Sequence, residues 1–584
     1  MGVVVRIRSG QCGGECEQSE RPMIQVSNIQ MPLDWGISND MEALKSKAAS
    51  MLGVSKRDFA TFDLYRRGVD ARRKSNVHFV VTAIATLDPA REQELCESCK
   101  DVKPYAPPFD PIPSCVIQGS PRENAGRPVV VGSGPAGLFC ALVLARAGLA
   151  PIVLERGGSV DERAEAISKM STTGNLDPEC NVQFGEGGAG TYSDGKLGTG
   201  LSGDYVRAVL NVFAEHGAPP EILWQAKPHI GTDKLPGVVR SIREDIVSHG
   251  GTFEFNTRFT KFLQEDGGIV AAEATTRDGR TIQLDASAIV LAIGHSSRDT
   301  YEMLAASSVP MAPKPFSIGV RIEHLQRSID LAQYGKAASH PALGAADYKL
   351  SCHLKSGRSV YTFCMCPGGE VVAAASEPGR LAVNGMSRYA RDGRNSNSAL
   401  LVDVRPEDFG SADPLAGIEF QRTWEERAFE LGGRSFKAPA QLLGDFVANR
   451  VSKNLGKVKP TYPLGIELTS LDECLPAFAT ESLREAIPLL GRKIRGFDVP
   501  DAVLTGVETR SSAPVRILRD KETRQSSVAG LFPCGEGAGY AGGITSSAVD
   551  GIKTAEAVAK YLGRQLPSHD KLESAKSDSA TTQR

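Results

Sequence analysis

The sequence predicts an α/β fold in which a nucleotide-binding domain is interrupted by an inserted α+β domain and preceded by a small α+β module. Two observations support this fold. A short apolar strand, a glycine-rich turn and a helix follow one another from Pro128, and a second glycine-rich turn leads into a helix near the carboxyl terminus. The chain has 584 residues, enough for about three or four domains.

The composition is that of an ordinary globular protein. Apolar residues make up 41% of the chain and charged residues 23%, which excludes disorder for most of its length. The formal net charge of −2 gives no overall attraction to nucleic acid or to an anionic membrane, so neither partner is expected. The sequence contains no apolar run of about 18 residues, and we therefore expect no membrane-spanning helix.

The twelve cysteines are too sparse for a disulfide scaffold and suit a reducing, cytoplasmic compartment. Cys96 and Cys99 have the spacing of a redox motif, but they lack the strand–turn–helix context, so plain thiols are the favoured interpretation. Cys364 and Cys366 alternate on a predicted strand and should share one face. No second Cys/His pair accompanies them, and no metal site is expected.

The amino-terminal module begins after residues 1–22, which lack the apolar segment of a secretory signal. Residues 23–29, 62–65 and 76–84 are predicted strands. Asn39 is a predicted cap for a helix that runs to about Leu52, with Glu42 at the capping-box position. Five of the nine residues 66–74 are basic. A solvated hairpin is the favoured interpretation of that segment, and a docking or anion-binding loop is the alternative.

The domain boundaries follow from changes in composition. Residues 101–127 hold six prolines and little periodicity, which is typical of a linker. The predicted division is a tail over 1–22, a module over 23–115, a linker over 116–127, a first nucleotide-binding part over 128–314, a cap or substrate domain over 315–500, a second nucleotide-binding part over 501–563 and a tail over 564–584.

The strongest motif lies after the predicted strand 129–131. Gly132 permits a tight turn, Gly134 lets a pyrophosphate approach the backbone, and Gly137 lets the following helix pack on the strand. A second strand ends at Glu155, 23 positions after Gly132, where a carboxylate can accept hydrogen bonds from ribose hydroxyls. The predicted cofactor contacts of this Rossmann-type segment are Gly132, Gly134, Pro135, Ala136, Gly137, Glu155 and Arg156.

Two distant segments distinguish FAD from NAD. A strand at residues 530–534 runs into a glycine-rich turn that contains Glu536 and Gly537, and a helix follows from Gly543 and Ile544. Many FAD enzymes end in this way, although Asp is commoner at the position of Glu536. The apolar strand that ends at Gly294 is a third matching segment. Non-covalent FAD is therefore the predicted cofactor, since no His or Cys lies in a recognised flavinylation motif.

At this point the sequence resembles a known family, the largely uncharacterised FAD-dependent dehydrogenases of bacteria and plastids. The resemblance covers roughly residues 23–562. The matching stretches are residues 181–197, 227–233, 315–324, 364–369, 506–516 and 534–551. The resemblance implies the fold and the cofactor, and it implies no particular substrate.

The glycine-rich loop over residues 185–190 is the remaining cofactor candidate, with Gly187, Gly188 and Gly190 as predicted contacts. In related flavoproteins this loop passes near the flavin. Lys196 follows it and is a candidate for stabilising reduced flavin, with a structural cation as the alternative. His229 and His295 are candidate acid–base groups or structural histidines, and His295-Ser296-Ser297 is a candidate helix cap.

The positions of several further charged residues in the sequence predict roles for them. Arg321 and Glu323 alternate on a predicted strand and are expected to form a salt-linked sheet face, with a binding pair as the alternative. Glu508, Arg510 and Arg516 precede the terminal flavin segment, and Arg510 is a candidate for holding an anionic substrate or for a buried structural role.

The predicted function is a hydride or two-electron transfer between a small-molecule substrate and flavin N5. Only one complete Gly-x-Gly-x-x-Gly unit exists, so a separate NAD(P)H domain is not expected, and a transiently docking NAD(P)H is one candidate electron donor. An RNA-binding or RNA-modifying flavoprotein that uses residues 66–74 is the alternative, and an FAD-stabilised interaction protein is a third. The substrate and the oligomeric state are left open.

Overall fold

The computed structural model describes residues 23–113, 126–564 and 566. The predicted linker over 116–127 lies almost wholly outside these residues, as do the two predicted tails apart from Arg564 and Leu566.

The amino-terminal module is a four-stranded antiparallel sheet covered by helices. In sheet order the strands are Thr61–Asp70, His78–Thr86, Met23–Met31 and Val102–Tyr105. The helices are Trp35–Ser38, Met41–Leu52 and Pro89–Ser98. Asp40, and not the predicted Asn39, caps the second helix, because the Asp40 side chain accepts hydrogen bonds from the amides of Glu42 and Ala43. Asn39 has φ of 51° and ends the preceding short helix.

A five-stranded parallel sheet forms the centre of the second unit, as the apolar runs predicted. Its strands, in sheet order, are Leu531–Pro533, Ile289–Leu291, Val129–Val131, Ile152–Leu154 and Thr252–Glu254. The helices of this unit are Pro135–Arg146, Val160–Thr173, Asp204–Glu215, Leu235–Ser248, Arg298–Ala306 and Ile544–Tyr561. The first and last of these helices pack against each other in the main core beside Val130 and Phe532. The last strand and last helix therefore complete a domain that begins some 400 residues earlier.

Two smaller antiparallel sheets extend this unit. The strands Thr257–Glu265, Gly268–Thr276 and Thr281–Asp285 form one, and Met311–Pro313 pairs with Val515–Ile517 to form the other.

The inserted unit contains a seven-stranded sheet. In sheet order its strands are Ser351–His353, Ser359–Cys366, Asn395–Val404, Phe316–Leu325, Val503–Glu508, Ala438–Leu442 and Ile466–Leu468. A ribbon of Glu370–Ala373 and Val383–Met386 and the helices Gln326–Tyr334, Ala416–Leu431, Leu443–Val447 and Ala477–Gly491 complete it. Strand Val503–Glu508 pairs with Phe316–Leu325, so the insertion ends after Glu508 and not at the predicted residue 500.

Six short 3-10 helices connect these elements: Lys56–Asp58, Ala189–Tyr192, Pro220–Leu223, Gly335–Ser339, Pro406–Phe409 and Leu471–Glu473. Within the described residues, none of the helices combines the length and the apolar character that crossing a membrane requires.

Candidate functional site

A cavity of about 330 Å³ lies at the carboxyl ends of the parallel strands, between the central sheet and the inserted sheet. Its position is the usual ligand position of an open α/β sheet, beside the strand where the order along the chain reverses. Many residues predicted from sequence meet in its wall. They are Gly132, Gly134, Pro135, Ala136, Glu155, Arg156, Gly188, Gly190, Lys196, Gly294, His295, Arg510, Glu536, Gly543 and Ile544.

Three predicted cofactor residues do not line the cavity and support its walls instead. A Cβ atom on Gly137 would lie 1.8 Å from the Gly132 carbonyl oxygen, and one on Gly537 would lie 2.5 Å from the Gly294 carbonyl oxygen. A Cβ atom on Gly187 would lie 2.1 Å from Thr191 Oγ1. These glycines are needed for close packing of the chain against itself.

The glycine-rich turn has the geometry that its sequence predicted. Gly132 has φ of 97°, which favours glycine, and Gly134 is the N-cap of helix Pro135–Arg146. The first hydrogen bond within this helix runs from the Leu138 amide to the Gly134 carbonyl. The preceding helical amides and the helix dipole therefore favour an anion at this edge of the cavity.

Glu155 ends the second strand and holds the turn in place. One carboxylate oxygen accepts hydrogen bonds from the Ser133 amide (3.0 Å) and the Ser133 hydroxyl (2.6 Å). The other accepts from the amides of Gly157 (2.9 Å) and Gly185 (3.0 Å). Four protein donors thus already use the acceptor positions of this carboxylate. Its predicted contact with ribose stays a prediction, and its structural role is to join three loops.

Arg156, directly after it, is held by carboxylates. It donates to Glu179 (2.7 Å) and to both oxygens of Asp299 (2.8 and 3.0 Å), and its guanidinium lies 4.3 Å from the Phe184 ring centroid. Arg156 therefore presents a fixed, planar cation at the cavity wall.

Arg163 organises the glycine-rich loop, a role that no motif in the sequence indicates. Its guanidinium is fully buried and donates hydrogen bonds to five backbone carbonyl groups. The acceptors are Asn181, Val182, Gly185, Glu186 and Gly188, at 2.7–3.3 Å. Since buried carbonyl groups need partners, this one side chain stabilises the whole loop. Sequence patterns do not predict this contact, because the acceptors are backbone carbonyl groups that lie 18 to 25 residues after Arg163.

Lys196 lies at the far end of the cavity and is paired. Its Nζ donates to Asp194 Oδ2 at 2.5 Å and to the Met365 carbonyl oxygen. Arg391 also binds Asp194, at 2.5 and 2.9 Å. Although burial opposes the charged amine, the Asp194 carboxylate raises the pKa of Lys196 above its usual value. Lys196 is thus a permanent cation in this wall.

Glu508 is the second charged group at that end. Both of its carboxylate oxygens lie near Arg321 Nη1, at 3.1 and 3.3 Å. Burial raises the pKa of Glu508 to about 7, although the Arg321 guanidinium lowers it. The predicted salt link between Arg321 and Glu323 is therefore wrong, because Arg321 pairs with Glu508. Glu323 instead accepts hydrogen bonds from Asn395 on the neighbouring strand and from Thr461 in a loop.

Glu536 follows the last strand of the central sheet, as predicted, and its side chain faces the cavity. Burial raises the pKa of Glu536 to about 7, against the opposing effect of Lys314. The cavity therefore has two carboxyl groups that change protonation near neutral pH.

Arg510 is buried in a charged network. It donates to both oxygens of Glu425 (3.0 and 3.1 Å) and to the hydroxyl groups of Ser376 and Ser296. Its predicted role as an anion-binding group keeps less support than the structural alternative, because Glu425 already neutralises it. Arg516 does not line the cavity, and its guanidinium lies 5.4 Å from the Tyr540 ring centroid.

The two candidate histidines differ in position. His295 lines the cavity, and burial together with the Arg510 and Arg298 guanidinium groups lowers the pKa of His295 to about 3. Ser297 is the N-cap of the helix Arg298–Ala306, but its hydroxyl donates to the Ile293 carbonyl, so the predicted side-chain cap is absent there. His229 lies away from the cavity wall and stacks on Tyr389. Its structural interpretation is therefore favoured.

The two predicted cysteine pairs, Cys96/Cys99 and Cys364/Cys366, lie in different parts of the structure. Cys96 ends up in helix Pro89–Ser98, and burial followed by nearby Glu92 and Glu97 raises the pKa of its thiol, the reverse of a redox motif. Cys364 lies in the cavity wall. A bulge between Phe363 and Cys366, with φ of 42° at Cys364, breaks the alternation that predicted a shared face. In the described part of the chain, no three His, Cys, Asp or Glu side chains cluster as metal ligands would.

Part of the cavity wall is backbone without side chains, and this wall suits a ligand that packs directly against the backbone. A Cβ atom on Gly542 would meet nothing within 4 Å, and one on Gly134 would meet only the Gly188 Cα atom at 3.7 Å. Neither glycine has a positive φ. Since neither conformation nor packing explains the missing side chains, the space they leave suits a bound nucleotide. Gly134 would then contact the pyrophosphate, and the start of helix Ile544–Tyr561 would border the other end of an FAD molecule.

Comparisons with known proteins agree with this fit. A family model described as an FAD binding domain matches residues 127–172. A second, described as the C-terminal domain of an FAD-dependent protein, matches residues 315–511. A domain of unknown function matches residues 23–86. An uncharacterised protein of Clostridium beijerinckii is 49% identical over 534 residues, which are 91% of this chain and 98% of the relative.

Solved structures give more distant likenesses. Glycerol-3-phosphate dehydrogenase from Bacillus halodurans, complexed with FAD, is 12% identical with a TM-score of 0.35. The match covers 76% of this chain and 66% of that chain, just under two thirds of its length. Quinol fumarate reductase FrdA of E. coli is 12% identical with a TM-score of 0.35, over 78% of this chain and 74% of that chain. Likenesses this distant do not bear on the substrate.

The fold, the site and the matching family models define an FAD-binding flavoprotein. The chain belongs to the same family as the uncharacterised Clostridium beijerinckii protein, a family of FAD-dependent proteins. The predictions of an α/β fold, of FAD and of this family are thereby confirmed.

Proposed function

We propose that this protein is an FAD-dependent dehydrogenase that oxidises or reduces a small molecule in the far half of the cavity. One observation carries the proposal: the cavity that begins at the glycine-rich turn continues to a chamber lined by Lys196, Cys364 and Glu508. When bound, FAD supplies a two-electron acceptor and donor. A chamber with charged and protonatable walls next to a cofactor site suits a polar substrate.

The chamber contains one residue with a permanent charge and one residue that can hold or release a proton. Lys196, held by Asp194, gives a positive potential that favours an anionic group or developing negative charge. Glu508, with its pKa raised to about 7, can hold or release a proton at neutral pH. His295 stays neutral there, since its pKa is lowered to about 3, and suits a hydrogen-bonding role.

The RNA-binding alternative has less support, because two basic residues of the segment 66–74, Arg67 and Lys74, contact other parts of the molecule. Arg67 lies 4.5 Å from the Trp224 ring centroid and donates to Asn39. Arg72 pairs with Asp70, and Lys74 donates to the Ala332 carbonyl group. The contacts of Arg67 and Lys74 join the amino-terminal module to the other two units.

The test is anaerobic reduction of the FAD-loaded protein by a panel of metabolites and by NADH and NADPH, followed at the visible flavin band. We expect at least one polar compound to bleach the flavin. Glu508→Gln should slow bleaching by about tenfold or more, since it removes the movable proton, whereas the exposed carboxylate variant Glu370→Gln should not. Bleaching by no compound, while dithionite reduces the flavin, would support the FAD-stabilised interaction protein instead.

A further inference from the structure

The segment Cys364-Met365-Cys366 brings two thiols to the chamber. It ends the strand Ser359–Cys366, and its first residue lines the cavity while Cys366 is buried directly behind. A bulge interrupts the strand pairing between Phe363 and Cys366, and Cys364 has φ of 42°. Cys366 Sγ lies 3.2 Å from the Cys364 carbonyl oxygen and within hydrogen-bonding reach of the Cys364 sulfur.

Two cations hold this segment through hydrogen bonds to its backbone. Arg321, fully buried, donates to the Cys364 carbonyl at 2.9 Å, and its Nη2 lies 3.6 Å from Cys366 Sγ. Lys196 donates to the Met365 carbonyl group between the two cysteines. Asn397 and Glu508 fix the Arg321 guanidinium in turn. The cations are therefore built into the walls around the thiols, and both favour a thiolate over a thiol.

The charges around the pair make the two sulfurs unequal. A hydrogen bond from Cys366, and then Lys196 and Arg321, lower the pKa of the Cys364 thiol, against burial and Asp194. The carboxyl groups of Glu508 and Glu536 also interact with Cys364, and burial raises the pKa of each to about 7. The same hydrogen bond and burial raise the pKa of Cys366. One sulfur is thus a thiolate and its neighbour a thiol, the pairing that thiol–disulfide chemistry uses.

We propose that Cys364 and Cys366 form a dithiol/disulfide pair that exchanges two electrons with the bound FAD. In the forward direction the Cys364 thiolate and the Cys366 thiol together lose two electrons and one proton and join in an S–S bond, and FAD takes up the two electrons and the proton as anionic reduced flavin. In the reverse direction reduced FAD returns them and the S–S bond breaks. The proposal rests on the proposed redox function of FAD in this cavity, and it adds a second two-electron centre to it.

The decisive measurement is an anaerobic reductive titration of the air-oxidised, FAD-loaded protein. The wild-type protein should consume about four electrons per FAD, because a flavin and a disulfide each take about two. Cys364→Ser and Cys366→Ser should each consume about two. The double variant Cys96→Ser/Cys99→Ser is the matched control for a cysteine pair away from the cavity, and it should still consume about four.

A second measurement needs no variant. In the wild-type protein oxidised with ferricyanide, the peptide that contains both cysteines should be two hydrogen atoms lighter than after reduction, and it should resist iodoacetamide. In the reduced protein Cys364 should react with iodoacetamide below pH 7, and Lys196→Met should move the midpoint of that reaction to higher pH.

The outcomes separate the two proposals. Uptake of about two electrons per FAD by the wild-type protein, with an unchanged cysteine peptide after oxidation, would overturn the dithiol and leave FAD redox chemistry intact. Failure of the flavin itself to accept electrons would overturn the proposed function.

Discussion

Gly134 and Gly188 meet backbone to backbone: a Cβ atom on Gly188 would lie 2.9 Å from the Gly134 Cα atom. The nucleotide turn and the glycine-rich loop therefore form one surface, and the Gly187 amide donates to the Ser133 carbonyl to hold them together. The contact leaves no room for a side chain on Gly188, so this part of the cavity wall requires glycine.

Gly134→Val should abolish FAD retention while the protein stays folded. The added side chain would point into open cavity, since its Cβ would meet only the Gly188 Cα atom at 3.7 Å, and there it would displace a pyrophosphate. The measurement is the flavin-to-protein absorbance ratio after gel filtration, with a thermal melt. Gly237→Val, at a helical glycine with nothing within 4 Å, is the control and should keep its flavin. Normal flavin content in Gly134→Val would place the phosphate elsewhere.

Arg163→Met should destabilise the protein by about 3 kcal/mol or more, since it leaves several buried carbonyl groups without a donor. Urea denaturation of the FAD-free and FAD-loaded forms measures this change. Arg240→Met removes a partly exposed ion pair with Asp161 on a neighbouring helix and should cost only about 0–1 kcal/mol. Equal losses in the two variants would show that the carbonyl groups do not depend on Arg163.

The contribution of Glu508 to the stability of the FAD-free protein should fall as pH rises from about 4.5 to about 7. The raised pKa of Glu508, about 7, means that the folded state keeps a proton which the unfolded state has already lost, so its contribution is present at low pH and is lost as pH rises through 7. The slope for one such group is at most about 1.4 kcal/mol per pH unit. In urea denaturation from pH 5 to 8, the change of unfolding free energy with pH should be more positive in Glu508→Gln than in the wild-type protein, and it should be unchanged in Glu370→Gln.

A negative charge at the start of the last helix should lower the flavin midpoint potential. Gly542 precedes Ile544–Tyr561 and has open cavity beside it. A carboxylate there would oppose the negative charge of reduced flavin and offset the helix dipole, which contributes roughly 0.3–2 kcal/mol, or about 6–45 mV for two electrons. Gly542→Asp should therefore lie a few tens of millivolts below its neutral counterpart Gly542→Asn in a redox titration.

Proline at Gly543 is a poorer test of the same idea, because φ of 138° at that residue is inaccessible to proline. Identical midpoints in Gly542→Asp and Gly542→Asn would show that this helix start does not border the flavin.

The sequence alone determined the parts of the site that are encoded within a few consecutive residues. The turn from Gly132 to Gly137, the carboxylate of Glu155 and the helix after Gly543 each combine a strand, a turn and a helix start, and local backbone preferences are enough to specify them. It also identified the family and its cofactor, because these local segments occur in a recognisable order.

Only the tertiary structure decided which charged groups face one another. Lys196 and Met365 are 169 residues apart and Arg321 and Glu508 are 187 apart, and they meet because the inserted sheet closes over the central one. Periodicity placed Arg321 and Glu323 on one face of a strand, but burial chose different partners for each, since a charge removed from water requires the nearest compensating group. The sequence likewise indicated no role for Cys364 and Cys366, because the two cations and the cavity wall around them come from distant parts of the chain.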